Sequence, residues 1–149
     1  MSEDSLYKPS DRARKNSLIS ESEFQKKYNV SLDNNDDFWA KEAQRIDWIK
    51  QFTKIKDVSY DLADLHIKWF YDGSLNASSN CIDRHLDKKG NEVAIIWEGD
   101  NPNESKKITY RELYNEVCKF ANALKNNGAK KGDRITIYMP MIPEAAVAM

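Results

Sequence analysis

No apolar run in this 149-residue sequence approaches the roughly 20 residues that a helix needs to cross a bilayer. The first stretch, MSEDSLYKPSDRARKNS, also lacks the apolar core of a secretory signal, so the chain is expected to be cytoplasmic with no membrane partner. Cysteine is scarce. Cys81 and Cys118 stand alone in segments that read as helices, which argues against a disulfide framework and for two reduced thiols. Charge of one sign is missing as well: 23 basic against 24 acidic residues leave a formal net charge of -1, and nucleic acid is not an expected partner. There are no internal repeats, no low-complexity segments, no G-x-x-x-x-G-K-[ST] and no G-x-G-x-x-G.

What is present is enough apolar character for a core, 40% hydrophobic residues beside 32% charged ones, at a length that suits one domain or one and part of another. The strongest signal is Ile108 to Pro140, ITYRELYNEVCKFANALKNNGAKKGDRITIYMP. Thr109 and Glu112 have the S/T-x-x-E spacing of a capping box, which starts a helix at about Tyr110. Leu113, Val117, Phe120, Ala121 and Leu124 recur on one face of it. Gly128 suits a left-handed C-terminal cap, and a polar turn through Lys130-Lys131-Gly132-Asp133 leads to the β-branched run Arg134 to Tyr138, read as a strand.

Earlier in the chain, residues 1 to about 19 are polar and unperiodic, with too little apolar surface to offset the entropy of ordering, and read as a disordered tail. Ser20 or Ser22 caps a short helix through Phe24 and Tyr28, and Asp33 or Asn34 a second through Phe38, Trp39, Ala43 and Ile46. From Asp47 to Gly73 aromatic residues are dense but follow no single period, the pattern of an irregular strap whose rings pack rather than stack on bases. Within it Leu65 to Trp69 alternates, a short strand ending at the Asp72-Gly73 turn. Asn76 caps a helix carrying Ala77, Cys81, Ile82, His85 and Leu86, closed by Gly90. Val93 to Trp97 is continuously apolar, a strand buried on both faces, and the turn-rich link from Gly99 to Ser105 folds Lys107-Ile108-Thr109 back as its antiparallel partner. Helix, strand, short strand, helix, strand is an α/β order. Pro143 and Glu144 open a last apolar helix of which only Ala145 to Met149 remain, too short to hold itself, so further sequence is expected beyond it.

Candidate chemistry is thin. Cys81 and His85, four apart, form half of a metal site, but His66 and Cys118 complete it at no recognisable spacing, and ordinary packing is the expectation. Asp83, Asp87, Glu98 and Asp100 are read as solvated carboxylates. Gly128 to Gly132, with its two lysines, follows a helix end whose dipole is wrong for phosphate.

The run from Asn80 to Met149 closely resembles the beginning of the adenylate-forming domain of the acetyl-coenzyme A synthetase family. Its ITYREL piece is similar to the first shared motif of acyl-adenylate-forming enzymes, and GDRITIYMPMIPEAAVAM to the narrower acyl-CoA synthetase group. Upstream, FWAKEAQRIDW, IKWFYDG and LNASSNCIDRH resemble the N-terminal extension of the acetate-specific branch, and AIIWEGD favours acetate over propionate. The resemblance implies an α/β fold in three parts: a tail at 1–19, a helical and irregular extension at 20–79, and the incomplete start of the AMP-binding domain at 80–149. It implies a ligase that makes acetyl-adenylate from acetate and ATP, then acetyl-CoA, using ATP, magnesium and CoA. The phosphate loop with its lysine, the adenine and magnesium motif, the CoA-binding arginines and the C-terminal catalytic lysine are not in this sequence. No catalytic, cofactor-binding or metal residue is therefore carried over, no cofactor is expected in the chain, and the expected partner is the remainder of the ligase. A truncated gene, a split gene and a non-catalytic module that associates with a separately encoded remainder all fit these residues.

Overall fold

The computed structural model describes residues 7–149. Two compact units divide the chain, one ending at Ser74 and the other beginning at Leu75.

In the first unit, helix α1 (Asp11–Lys15) is a single exposed turn whose N-cap, Ser10, accepts the Ala13 N–H. It falls inside the stretch read as a tail, of which residues 1–6 lie outside the described residues. Helix α2 (Glu21–Asp33) begins at Ser20 with a reciprocal capping box: the hydroxyl accepts the Glu23 N–H, and the Glu23 carboxylate accepts the Ser20 N–H at 2.7 Å. Helix α3 (Asn35–Glu42) follows Asn34, whose amide donates to the Asp37 carboxylate at 2.9 Å instead of capping the backbone. It tightens into a 3-10 turn at Ala43–Arg45. Neither α2 nor α3 buries a residue.

Strands β1 (Lys56–Ser59) and β2 (His66–Trp69) pair antiparallel, with Lys56 opposite Trp69 and Ser59 opposite His66. The aromatic strap around them packs on itself. Phe52 lies 5.0 Å from Trp48 and 4.7 Å from Phe70, ring to ring, and Phe70 is 5.7 Å from Trp48. Phe52 and Ala43 are the buried apolar residues among the described residues of this unit. Gly73 is pressed against the cluster, since a Cβ there would stand 2.8 Å from the Trp48 ring.

The second unit opens with helix α4 (Ala77–Cys81), capped as expected by the Asn76 carboxamide oxygen on Ser79 N–H. The single helix anticipated up to Gly90 does not form. It breaks at Ile82, which leaves the helical region and buries against Ile108 and Leu113. A 3-10 turn at Asp83–His85 and a short helix α5 (Leu86–Lys89) follow. Gly90 closes α5 at a right-handed φ of -53°, not as a left-handed cap. Its missing Cβ matters for space, because one would lie 2.5 Å from Leu86 O and 2.6 Å from the Arg111 guanidinium.

Strands β3 (Val93–Glu98) and β4 (Ser105–Thr109) form an antiparallel pair with an irregular register between Val93 and Ile95. Strand β3 is not buried on both faces as its apolar run predicts: Val93 and Ile96 are exposed, and only Ala94, Ile95 and Trp97 are partly covered. Helix α6 (Tyr110–Asn126) starts at the Thr109–Glu112 capping box; its Leu113 joins Ile82 and Ile108 in the core, and its Tyr114 and Val117 pack against them. Gly128 leaves α6 at φ 91°, the left-handed cap that its position predicts. Residues 134–138, read as a strand, make no ladder, and all are exposed. Their β-branched pattern favours extended backbone, but a strand also needs a neighbour to take its N–H and C=O groups, and no described residue supplies one. Helix α7 (Pro143–Ala148) begins with Pro143 in its first turn, and Val147 reaches the core.

Candidate functional site

The sequence candidates do not converge. Cys81 ends α4 and is exposed, while His85 sits beyond the break at Ile82 with its ring 5.4 Å from that of Tyr110. The helix face they were expected to share is gone. Among the described residues no group of three or more His, Cys, Asp or Glu is placed to hold a metal ion. Cys118 is a half-buried free thiol, and Asp83, Asp87, Glu98 and Asp100 are exposed.

In the glycine-containing turn after α6 most backbone N–H groups are spent on closing the helix. The N–H groups of Asn127, Gly128 and Ala129 return to the carbonyls of Ala123, Leu124 and Lys125 at 3.0 to 3.1 Å, and Lys130 N–H donates to the Asp133 carboxylate at 2.7 Å. The chemistry of this loop is that of a helix end. At this turn the backbone closes a helix C-terminus and does not present the N–H groups of a helix N-terminus to a phosphate.

The second unit instead offers an apolar groove of about 560 Å³, walled by Val117, Phe120 and Leu124 of α6, Ile82, and Val147 of α7. No charged side chain lines it. Beside it, β3 and β4 each have one ladder partner among the described residues, so the outer edges of this two-stranded sheet are unpaired. Such a surface can take an apolar element or a further strand. The segment after the unpaired stretch at 134–138 is anchored to the same unit by the Trp97 indole N–H, which donates to Met141 O at 2.8 Å.

In the first unit, sequence reading treated His66 only as a spare metal ligand and missed its neighbours. Nε2 lies 2.9 Å from an Asp57 carboxylate oxygen, and Nδ1 lies 3.0 Å from Asp64 O and 3.2 Å from the Asp64 carboxylate. The hydrogen bond to Asp57, reinforced by Asp64, raises the imidazole above its ordinary value, and the same bond together with Lys68 lowers Asp57. The Asp64-x-His66 spacing was legible; the approach of Asp57 depends on the hairpin register. Asp72 is a second organised carboxylate, held down to about 2 by the Thr53 hydroxyl and by the N–H groups of Lys54 and Thr53.

Comparison with known proteins also divides the chain in two, a few residues later than the compact units part, so that α4 falls in the first match. Residues 24–81 match the family described as acetyl-coenzyme A synthetase N-terminus, and residues 82–149 match the family described as AMP-binding enzyme. The chain belongs to the acetyl-coenzyme A synthetase family. The acetyl-coenzyme A synthetase of Shewanella amazonensis is 59% identical over 150 residues, which cover 100% of this chain and 23% of that protein. Its counterpart in Shewanella frigidimarina is 57% identical with the same coverage of 100% and 23%. The solved acetoacetyl-CoA synthetase from Streptomyces lividans is 26% identical, with a TM-score of 0.68 over 80% of this chain and 18% of that one. This chain therefore spans 23% of the length of the curated family members it matches. Among its described residues no helix is long and apolar enough to cross a membrane.

Proposed function

We propose that this chain is the N-terminal portion of an acetate–CoA ligase, which forms acetyl-adenylate and pyrophosphate from acetate and ATP and then transfers the acetyl group to CoA with release of AMP. The observation that carries this reading is the 59% identity to an acetyl-coenzyme A synthetase across the whole chain. In this reading the tail at 1–19 and the extension at 20–79 precede the start of the AMP-binding domain at 80–149. No residue here is a catalytic, cofactor-binding or metal residue; ATP, magnesium and CoA are held by the remainder of the ligase. The contribution of this chain is then a scaffold. Its apolar groove along α6 and the free edges of β3 and β4 receive the elements that complete the adenylate-forming domain, and the inward-turned loop after α6 supports a packing role for that corner.

The test is a fusion of this chain to the unmatched part of the Shewanella amazonensis relative. Acetate-, ATP- and CoA-dependent formation of AMP by the fusion, with none by the chain alone, is the expected result. A folded fusion that turns over a different acid and not acetate overturns the substrate, and acetate-dependent pyrophosphate release by the isolated chain overturns the scaffold reading. Co-purification of the chain from its native cell with a separate ligase-like polypeptide would favour association between two chains over a single continuous one.

A further inference from the structure

We propose that His66 is a protonation-dependent latch that fastens the 60–65 loop of the β1–β2 hairpin to β1. Nε2 looks at the Asp57 carboxylate across the hairpin, and Nδ1 looks at both the main-chain carbonyl and the carboxylate of Asp64, at the end of the loop. Every one of these partners is a hydrogen-bond acceptor. A neutral imidazole carries one N–H and one lone pair, so it can satisfy only one side and must turn a lone pair towards an oxygen on the other. The imidazolium has two donors and satisfies both. The charged groups facing it are Asp57 on β1, Asp64 in the loop, and Lys68 further along β2, whose ammonium shares Asp57 at 3.2 Å. Ser59, opposite His66 in the ladder, is uncharged.

Apart from the histidine, the loop is tied to β1 by a long bond from the Asp61 N–H to the Ser59 hydroxyl at 3.2 Å. It turns on itself through Asp61, whose carboxylate accepts the Ala63 N–H at 2.9 Å and whose carbonyl accepts the Asp64 N–H at 3.0 Å. Tyr60, Leu62 and Leu65 in it are exposed, Leu62 at 97%. No apolar anchor replaces the histidine when it loses its proton. Because the folded-state value lies above the ordinary 6.5, the latch is complete below 6.5 and is lost as pH rises through the elevated value. Below that window the loop is fastened through His66 to Asp57; above it, it is released while the ladder from Lys56 to Ser59 persists.

The experiment is a pH titration of the full chain by NMR, following the ring nitrogens of His66 together with amide exchange at 60–65 corrected for intrinsic rates. The expected result is a ring protonated at both nitrogens at low pH, with a midpoint above 6.5. Loop protection should fall at that same midpoint, by about tenfold for each pH unit of elevation, the ratio that linkage requires. Asp64→Asn places an amide donor where neutral Nδ1 can accept it, and should lower the midpoint and flatten the pH dependence of loop protection. Lys68→Gln removes a cation competing for Asp57 and should raise the midpoint. A wild-type midpoint at or below 6.5, loop protection that ignores the titration, or a Lys68→Gln shift in the opposite direction would overturn the proposal.

Discussion

Phe70 holds a left-handed backbone, φ 47°, that a side chain makes costly by about 1 kcal/mol. It is kept there by its ring, which lies against Phe52, Trp48 and Trp69, and by its N–H, which donates to Ile55 O at 2.7 Å. The two effects can be separated. Phe70→Ala loses the ring and keeps the strain; Phe70→Gly loses the ring and relieves it. Both should destabilise the first unit, by roughly 2 to 4 kcal/mol for the alanine variant, with the glycine variant better by about 1 kcal/mol in denaturant unfolding followed by tryptophan fluorescence. Asp72 makes a second residue-level test. Its hydrogen bonds to Thr53 and Lys54 lower its carboxyl from 3.8 to about 2, so the stabilisation it gives is full above 3.8 and lost as pH falls through about 2. Asp72→Asn should therefore flatten the acid limb of an unfolding titration between those values while leaving the slope near neutrality unchanged.

Two helices share one start signal and differ in what it secures. Ser20 and Thr109 each form a capping box, with Glu23 and Glu112, but α2 buries nothing while α6 places Leu113 in the core. Thr109→Ala should cost the second unit about 1 kcal/mol in global unfolding, whereas Ser20→Ala should lower helicity in circular dichroism with little effect on the same transition. The contrast also shows what the sequence could reveal. The caps at Ser20, Asn76 and Thr109, the periodic face of α6, Gly128 at its left-handed exit and the β3–β4 turn are set by neighbours within a few residues, and they were legible; Asn34 and Gly90, expected as caps, do not cap in that way. The break at Ile82 was not, because it depends on Ile108 and Leu113, far along the chain. Arg134 to Tyr138 was misread for the matching reason: local pattern predicts an extended backbone, and a ladder partner is a non-local fact. At the candidate site, the dipole argument against phosphate after α6 used local geometry, while the Asp57–His66 contact required the hairpin register.

For the molecule as a whole, the small core is the governing fact. Ala43, Phe52, Ile82, Ile108 and Leu113 are the buried apolar residues among those described, and large apolar side chains such as Ile96, Ile67, Leu32 and Tyr138 are exposed. A large apolar side chain contributes roughly 1.5 to 3 kcal/mol when buried, so few buried residues mean little margin against conformational entropy. The purified chain should show a broad, weakly cooperative thermal transition in calorimetry and should bind dyes that report apolar surface; a sharp melt without dye binding would contradict this. The same measurement on the fusion to the Shewanella amazonensis remainder should sharpen the transition, as the groove along α6 is filled. The bond from the Trp97 indole to Met141 O has another kind of consequence. Its acceptor belongs to the main chain, so exchanging the side chain at 141 leaves the bond intact, whereas inserting or deleting one residue beside it, between Pro140 and Pro143, presents a different carbonyl. The attachment counts residues without reading them, and this corner should tolerate substitution far better than a change of length.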